Sequence, residues 1–563
     1  MFRRSFKNLV KKPSDLLEEM PLIAALTFEN LEKEENISVL ADYPIICKFC
    51  GGILVDYTKL KKTDGDEYKW KCEFCESENT IKVKDINTIE KITEEQKNKG
   101  LTAEELSILF QQISENKDEV QVGTVKKTGD ALVAVIDISG SMSGGKLEAV
   151  KHSLIQTVKN IKINEKGTVF ALITFTDDVR VYSQPQKYFR IHEDSMLFSK
   201  KNLRNDIREL LKNQKIGPLS EFAQGWENRI NQLRTQGWTA LGPGLYAGVI
   251  LVQEKILKNA ESNSRIILLT DGLANQGMGN VESTDAAKAK KFYQEVGNEC
   301  LEDGITIDLV GVQSGNQVAL DVVGVITDIT GGEMILISQD QIETTFQKLS
   351  GKAYIARNTI LRVFTPEGLV LDDITGTYVA GGIPKEAGEP IRLGSLDKDR
   401  EIYLKFKQNR EFKEDNIPIQ IQMEYIDQDN NKKYRVARAN VATTDAPDTY
   451  TTTYDAQIFS NMEMQEANEY MKNYDMKKAR GKLKDLQSRL SSDAFEGAEN
   501  ISVAQELVQS EEEMWEEREE EAKARKVRDM KSFYASAGQS SSRMSINTRM
   551  KQLMKKKKKN DND

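Results

Sequence analysis

At 563 residues the chain exceeds what one hydrophobic core supports, and about three to four domains are expected. An apolar fraction of 39% against a charged fraction of 30%, with no run of about eighteen apolar residues, excludes a membrane-spanning protein, and a formal net charge of −9 argues against general nucleic-acid binding. Two histidines leave little for acid–base catalysis, and four of the five cysteines fall in two close pairs, which in a reducing compartment points to metal rather than disulfides.

Phe2, Phe6, Leu9 and Val10 recur at helical spacing among Arg3, Arg4, Lys7, Lys11 and Lys12, and Pro13 closes the stretch. An interfacial helix on an anionic membrane is one reading, which would make a peripheral membrane contact. An irregular basic arm over residues 1–40, either disordered or docked on an acidic face, is the preferred one. The segment has no signal-peptide core, so a cytoplasmic protein is expected.

Cys47-x-x-Cys50 and Cys72-x-x-Cys75, with 21 residues between the pairs, approach the spacing of a zinc ribbon over residues 41–85. Four thiolates complete a tetrahedral Zn2+ and leave no position for substrate, so this site is expected to be structural. Residues 86–129 are polar and read as a connector with one helix near Thr102–Glu115.

Ala131 to Ile136 is a short, continuous, branched apolar run, as in a strand buried on both faces, and it is closed by Asp137-Ile-Ser139-Gly-Ser141. Ligands gather beyond the carboxyl ends of such strands, which places Asp137, Ser139 and Ser141 on a functional rim. Further strands are predicted at Val169–Phe175, Ile266–Thr270, Ile305–Val312 and Met334–Ile337, alternating with amphipathic helices. Together they imply an α/β domain over residues 130–350 with a mostly parallel, doubly wound sheet.

Asp-x-Ser-x-Ser, Thr239 in Gly237-Trp-Thr-Ala-Leu-Gly-Pro-Gly244 and Asp271 in Ile266-Ile-Leu-Leu-Thr-Asp-Gly272 arrive in one order. That order resembles the metal-ion-dependent adhesion site (MIDAS) of the von Willebrand factor A (VWA) family, whose fold is Rossmann-like. The resemblance implies that Asp137, Ser139, Ser141, Thr239 and Asp271 hold Mg2+ or another hard divalent cation, which a partner's carboxylate then completes. Gly140 to Lys146 also fits the G-x-x-x-x-G-K phosphate cradle, but Leu147 stands where the magnesium-holding Ser or Thr belongs, so nucleotide hydrolysis is not expected. A ribbon reading Tyr43-Pro-Ile-Ile-Cys-Lys-Phe-Cys50 and Trp70-Lys-Cys-Glu-Phe-Cys75, followed by such a domain, is similar to the inner-coat proteins of COPII vesicles. The chain departs from them in keeping the adhesion-site residues complete and in showing no gelsolin-like C-terminal domain.

Between Tyr182 and Gly237 lies an insertion with two helix-like stretches, Asn202–Asn213 and Glu221–Thr235, separated by Gly217-Pro218. It is expected to form either a lid beside the metal or a surface embellishment. Residues 351–450 alternate as an antiparallel β-sandwich with strands Leu361–Phe364, Ile402–Phe406, Ile419–Tyr425 and Tyr434–Ala439. Residues 451–535 form an α-helical region of about three helices, with Ala479, Leu483, Leu486 and Leu490 on one stripe and Ile501, Leu507 and Trp515 on another. The Ser-rich and lysine-rich tail, 536–563, is expected to be disordered, its Lys555–Lys559 run free to touch acidic surfaces.

No recognisable nucleophile neighbours His152 or His192, and Cys300 reads as a buried small residue. The expected function is that of a non-enzymatic, protein-binding scaffold that uses the cation at Asp137, Ser139, Ser141, Thr239 and Asp271 to bind an acidic residue of a partner. The alternatives are a COPII-like coat or cargo adaptor in vesicle trafficking, and a substrate-recruiting ubiquitin ligase.

Overall fold

The computed structural model describes residues 2–29, 31, 38–40, 45–55, 61–63, 67–82, 105–110, 131–164, 168–214, 216–257, 264–282, 285–313, 317–352, 354–429 and 431–560. The apolar runs of residues 130–350 build one seven-stranded sheet. Its order is Lys187–Ile191, Val179–Gln184, Val169–Phe175, Ala131–Asp137, Ser264–Thr270, Thr306–Val312 and Met334–Ile337, and the five strands from Val169 onward in this order are parallel. Ala131–Asp137 is central, and because side chains alternate along it, Val133 and Val135 enter one core while Leu132, Ala134 and Ile136 enter the other. Helices Leu241–Leu251 and Ala286–Glu302 cover the first face, and Lys146–Asn164 and Ile342–Ser350 the second.

The insertion differs from both expectations, because it belongs to these layers. Helix Lys200–Leu211 buries Leu203, Ile207 and Leu211 in the first core, and Leu219–Asn231 buries Leu219, Ala223, Trp226 and Ile230 in the second. Trp226 meets Phe170 edge to face at 5.1 Å between centroids, a geometry aromatic quadrupoles favour.

Two further sheets share a single apolar cluster with the helices that follow. One comprises Phe2–Arg4, Leu22–Thr27, Glu401–Gln408 and Leu369–Thr375; the other comprises Ile391–Leu396, Ala356–Phe364, Asn416–Ile426, Lys432–Thr444, Glu105–Phe110 and Ser38–Leu40. The helix expected at Thr102–Glu115 is therefore a strand over its described residues Glu105–Phe110, where pairing with Tyr434–Ala439 overrides local preference. The basic N-terminus is likewise neither an interfacial helix nor a free arm. Phe2–Arg4 and Asn8–Val10 are strands, and Phe6, Leu9 and Val10 are buried in the shared core, which leaves that apolar face none to offer a membrane. Its cations are paired as well: Arg3 with Glu401 at 3.2 Å, Lys7 with Glu499 at 2.6 Å and Lys11 with Asp445 at 3.3 Å.

Helices Ala456–Lys472, Met476–Leu490 and Ile501–Ala524 bury the two expected stripes, apart from half-buried Ile501. The chain beyond Ser536, expected to be disordered, continues as helices Met530–Ser542 and Ile546–Asn560. Its polar composition is used for edge sealing. Met334–Ile337 is the edge strand of the central sheet, and Gln539 Oε1 accepts from Met334 N at 2.7 Å while Ser536 Oγ accepts from Leu336 N at 3.1 Å. Asp529 and Ser532 take the amides of Val318 and Leu320 in the same way, at 2.7 and 2.8 Å. Lys556 meets Glu513 and Glu517, and Lys557 meets Glu506, so the lysine run lies on an acidic helix of its own chain. Among the described residues no helix is long and apolar enough to cross a membrane.

An open sheet edge is a template for aggregation, and an unpaired buried amide costs about 1–3 kcal/mol. Gln539→Ala with Ser536→Ala is therefore expected to lower stability by about 2–4 kcal/mol in urea denaturation of the full chain. An unchanged midpoint would rule out this helix as the cover of the edge.

Candidate functional site

Asp137 is the last residue of the central strand and has no solvent exposure. The parallel register places Phe175 beside it on one flank and Leu269 beside Ile136 on the other, so the loops after three strands meet at this point. Its carboxylate is held by local donors, Ser139 N on Oδ1 at 2.8 Å and Thr270 Oγ1 on Oδ2 at 2.6 Å. Burial nevertheless pushes its pKa up to about 6, against the lowering effect of those hydrogen bonds.

The other four expected residues converge on it. Ser139 Oγ lies 2.9 Å from Ser141 Oγ, which donates to Asp271 Oδ1 at 2.6 Å. A Cβ placed on Gly272 would lie 3.6 Å from Ser141 Oγ and 3.8 Å from Thr239 Oγ1, so both hydroxyls border the same small space. Thr239 is fixed by its backbone: its N–H donates to Asn275 Oδ1 at 2.8 Å and its carbonyl accepts from Asn275 N at 3.1 Å. The loop before it is tied to the first loop by Gln236 N to Ile138 O at 2.9 Å and Gly140 N to Gly237 O at 3.1 Å. Gly237 has φ +67°, and a Cβ there would fall 2.2 Å from Asp177 Oδ1, so only glycine permits this approach. Beside Thr239 at the rim stands Trp238, 65% exposed.

Two carboxylates and three hydroxyls make an oxygen-only donor set of the kind that suits a hard cation. Three further residues of this cluster were not among those expected to form it: Thr270, Asn275 and Lys146. Lys146 Nζ donates to Asp271 Oδ2 although its side chain is only 11% exposed. The signal for Thr270 was its place next to Asp271, and that for Lys146 was the lysine of the phosphate-cradle match. In the structure the charge of this lysine is paired with the Asp271 carboxylate within the chain.

The second cluster is the four cysteines. Cys47, Cys50, Cys72 and Cys75 bring their sulfurs within 4.8 Å of one another, with Cys47 to Cys75 and Cys50 to Cys72 each at 3.6 Å. A tetrahedral ion with Zn–S bonds near 2.3 Å needs sulfurs roughly 3.8 Å apart, so the set fits one zinc. Hydrogen bonding between Cys50 and Cys72 pulls the latter down to about 5 and pushes the former up, as in two thiols sharing one proton. Asn79 Nδ2 donates to Cys47 Sγ at 3.3 Å and Gly52 N to Cys50 Sγ at 3.4 Å, the donors a thiolate set needs around it. The module has its own cluster, with Ile53, Leu54, Val55, Trp70 and Phe74 packed on Phe364, Tyr434 and Val436. Gln420 pairs with both backbone groups of Ile53 at 2.8 Å, and Arg438 grips Glu73 at 2.7 and 2.6 Å.

Residues 130–352 match the family model of the Sec23/Sec24 trunk domain. Circularly permutated Ras protein 1 of Dictyostelium discoideum is 23% identical over 456 residues, covering 77% of this chain and 52% of that protein. The chain thus spans about half the length of this curated relative. The structure of the human COPII-coat protein Sec24c aligns with a TM-score of 0.68 at 14% identity, over 97% of this chain and 74% of that one. The fold is thus COPII inner-coat-like, mixed α/β with a parallel-rich sheet.

Purified chain is expected to carry one zinc ion by elemental analysis, and Asn79→Ala to weaken its retention against a chelator by roughly 10–100-fold. Cys47→Ser should abolish it and leave the central sheet folded, since the two have separate cores. A chain that holds no zinc and is indifferent to chelator would exclude the assignment.

Proposed function

We propose that this chain is a non-enzymatic scaffold of the COPII inner-coat kind, acting in vesicle trafficking as a coat component or cargo adaptor. The observation that supports it is the combination of parts. A four-cysteine module, two mainly antiparallel sheets, a parallel-sheet domain and a helical region are packed together, and their likeness to Sec24c runs along 97% of the chain. The chemistry available is that of recognition. Among the described residues His152 pairs with Glu343 at the surface at 3.0 Å, and burial seals Cys300 and pushes its thiol up. In this reading the zinc site is structural, fixing the module that sits on Phe364, Tyr434 and Val436.

A second element of the proposal concerns the oxygen cluster, which we read as a VWA-type adhesion site. Asp137, Ser139, Ser141, Thr239 and Asp271 would hold a divalent cation such as Mg2+, and the ion would present an open position to an acidic residue of a partner. What supports this reading is that the five residues, two of them carboxylates without solvent exposure, converge on one small space at the end of the central strand.

Two measurements test the parts separately. In cell fractionation the chain is expected to travel with vesicles derived from the endoplasmic reticulum, bound to coat or cargo proteins. Recovery wholly apart from membranes, with no such partner, would end the coat reading. Partners captured in Mg2+ are then compared with those captured in chelator and with Ser139→Ala/Ser141→Ala: loss of one partner in both conditions supports the cation face, and full retention in both eliminates it.

A further inference from the structure

Lys146 poses a physical problem that the scaffold role does not explain. It opens helix Lys146–Asn164, where the helix dipole disfavours a cation, and it is almost wholly buried, where an ammonium is stable only if paired. Its partner is Asp271 Oδ2, on the carboxylate whose other oxygen accepts from Ser141 Oγ at 2.6 Å. Asp271 and Asp137 both lack solvent exposure, and Ser139 and Ser141 lie between them in the hydrogen-bond chain. The ammonium thus stands against the same carboxylate that would hold a divalent ion, and it supplies the positive charge that an ion would otherwise bring.

We propose that Lys146 is a tethered cation of this site, which occupies it in competition with a divalent ion. Without metal, Lys146 neutralises Asp271 and keeps the Ser139–Ser141 loop in its closed hydrogen-bonded form. Metal entry requires the ammonium to leave Asp271 and move toward the rim, where Gly144 and Gly145 before the helix and Glu148 in its first turn are exposed to solvent. The site is therefore self-satisfied when empty, and its affinity for metal is set lower than its five oxygens alone would give. This inference rests on the cation-face reading and adds to it a built-in competitor.

The experiment is Mn2+ binding by calorimetry on the zinc-loaded full chain, comparing wild type with Lys146→Gln and Lys146→Arg, with thermal unfolding recorded at each Mn2+ concentration. Removing a unit charge a few ångströms from the ion is expected to tighten binding on the order of ten- to a hundredfold in Lys146→Gln. Lys146→Gln should also unfold at lower temperature than wild type without Mn2+ and regain the difference with it, while Lys146→Arg, which keeps the charge, should remain a weak binder. Equal or weaker Mn2+ affinity in Lys146→Gln overturns the competition while leaving the cation face standing. Failure of every protein, Lys146→Gln included, to take up Mn2+ overturns the cation face and the competition together.

Discussion

A carboxylate without solvent exposure at the end of a strand buried on both faces is the constraint around which this molecule is arranged. Asp137 ends the central strand without solvent exposure, and an isolated buried carboxylate is untenable. Its acceptors are met by the next loop, through Ser139 N, and by the neighbouring strand, through Thr270. Those two contacts dictate the rest: the first fixes the turn that sends the chain into helix Lys146–Asn164, and the second requires the loop after Ser264–Thr270 to lie alongside. The third loop is drawn in by backbone pairing of Gln236 and Gly237 with Ile138 and Gly140. Convergence of five oxygens thus follows from satisfying one buried acid in a parallel sheet.

The remaining parts act as a frame for that sheet. Its cores are sealed by helices within residues 130–350, and its edge strand is closed by side chains 205 and 200 residues later in the sequence, at Gln539 and Ser536. The same C-terminal segment reaches the neighbouring sheets, since Glu401, without solvent exposure, accepts from Ile546 N at 2.8 Å, Tyr403 OH at 2.8 Å and Arg3 Nη2 at 3.2 Å. One carboxylate so ties the first strand of the chain to its last helix. Regions that look separable by sequence pattern share one core, and a ligand at the rim acts on a body held at both ends of the chain.

The central sheet was legible because its strands announce themselves twice, as apolar runs and by what terminates them. Val169–Phe175 and Met334–Ile337 coincide with their expectations, and the other three expected strands differ from those observed by one or two residues at one end. The convergence of Asp137, Ser139, Ser141, Thr239 and Asp271, and that of the four cysteines, was readable because each group stands in a motif of fixed residue types at fixed spacing. Long-range partnership was not readable. Phe6, Leu9 and Val10 fit a helical stripe as well as they fit strands, and only distant partners at Leu22–Thr27 and Lys432–Thr444 decide between the two. The tail was misjudged because serine, glutamine and lysine look unable to build a core; they contribute amide, hydroxyl and ammonium partners to a core already built. Lys146 was visible only as part of a motif it does not serve, since its carboxylate lies 125 residues away in sequence.

Charge arithmetic at the rim links this frame to recognition. With Asp137 and Asp271 ionised and Lys146 in place, the cluster carries one net negative charge, and an acidic partner residue approaching Trp238 and Thr239 meets repulsion. In the proposed exchange a divalent ion displaces the ammonium and its two charges cancel those of the two carboxylates, which removes the repulsion and leaves the ion's open position to an acidic group. An acidic partner is then favoured only by the loaded form. The backbone ties at Ile138, Gly140, Gly237 and Asn275 do not involve Lys146 or the serine hydroxyls, so the exchange asks only side chains to move. Under the proposed reading, a rigid frame holding a site whose net negative charge is lost on loading would select an acidic partner by cation occupancy, with side chains moving and the fold unchanged.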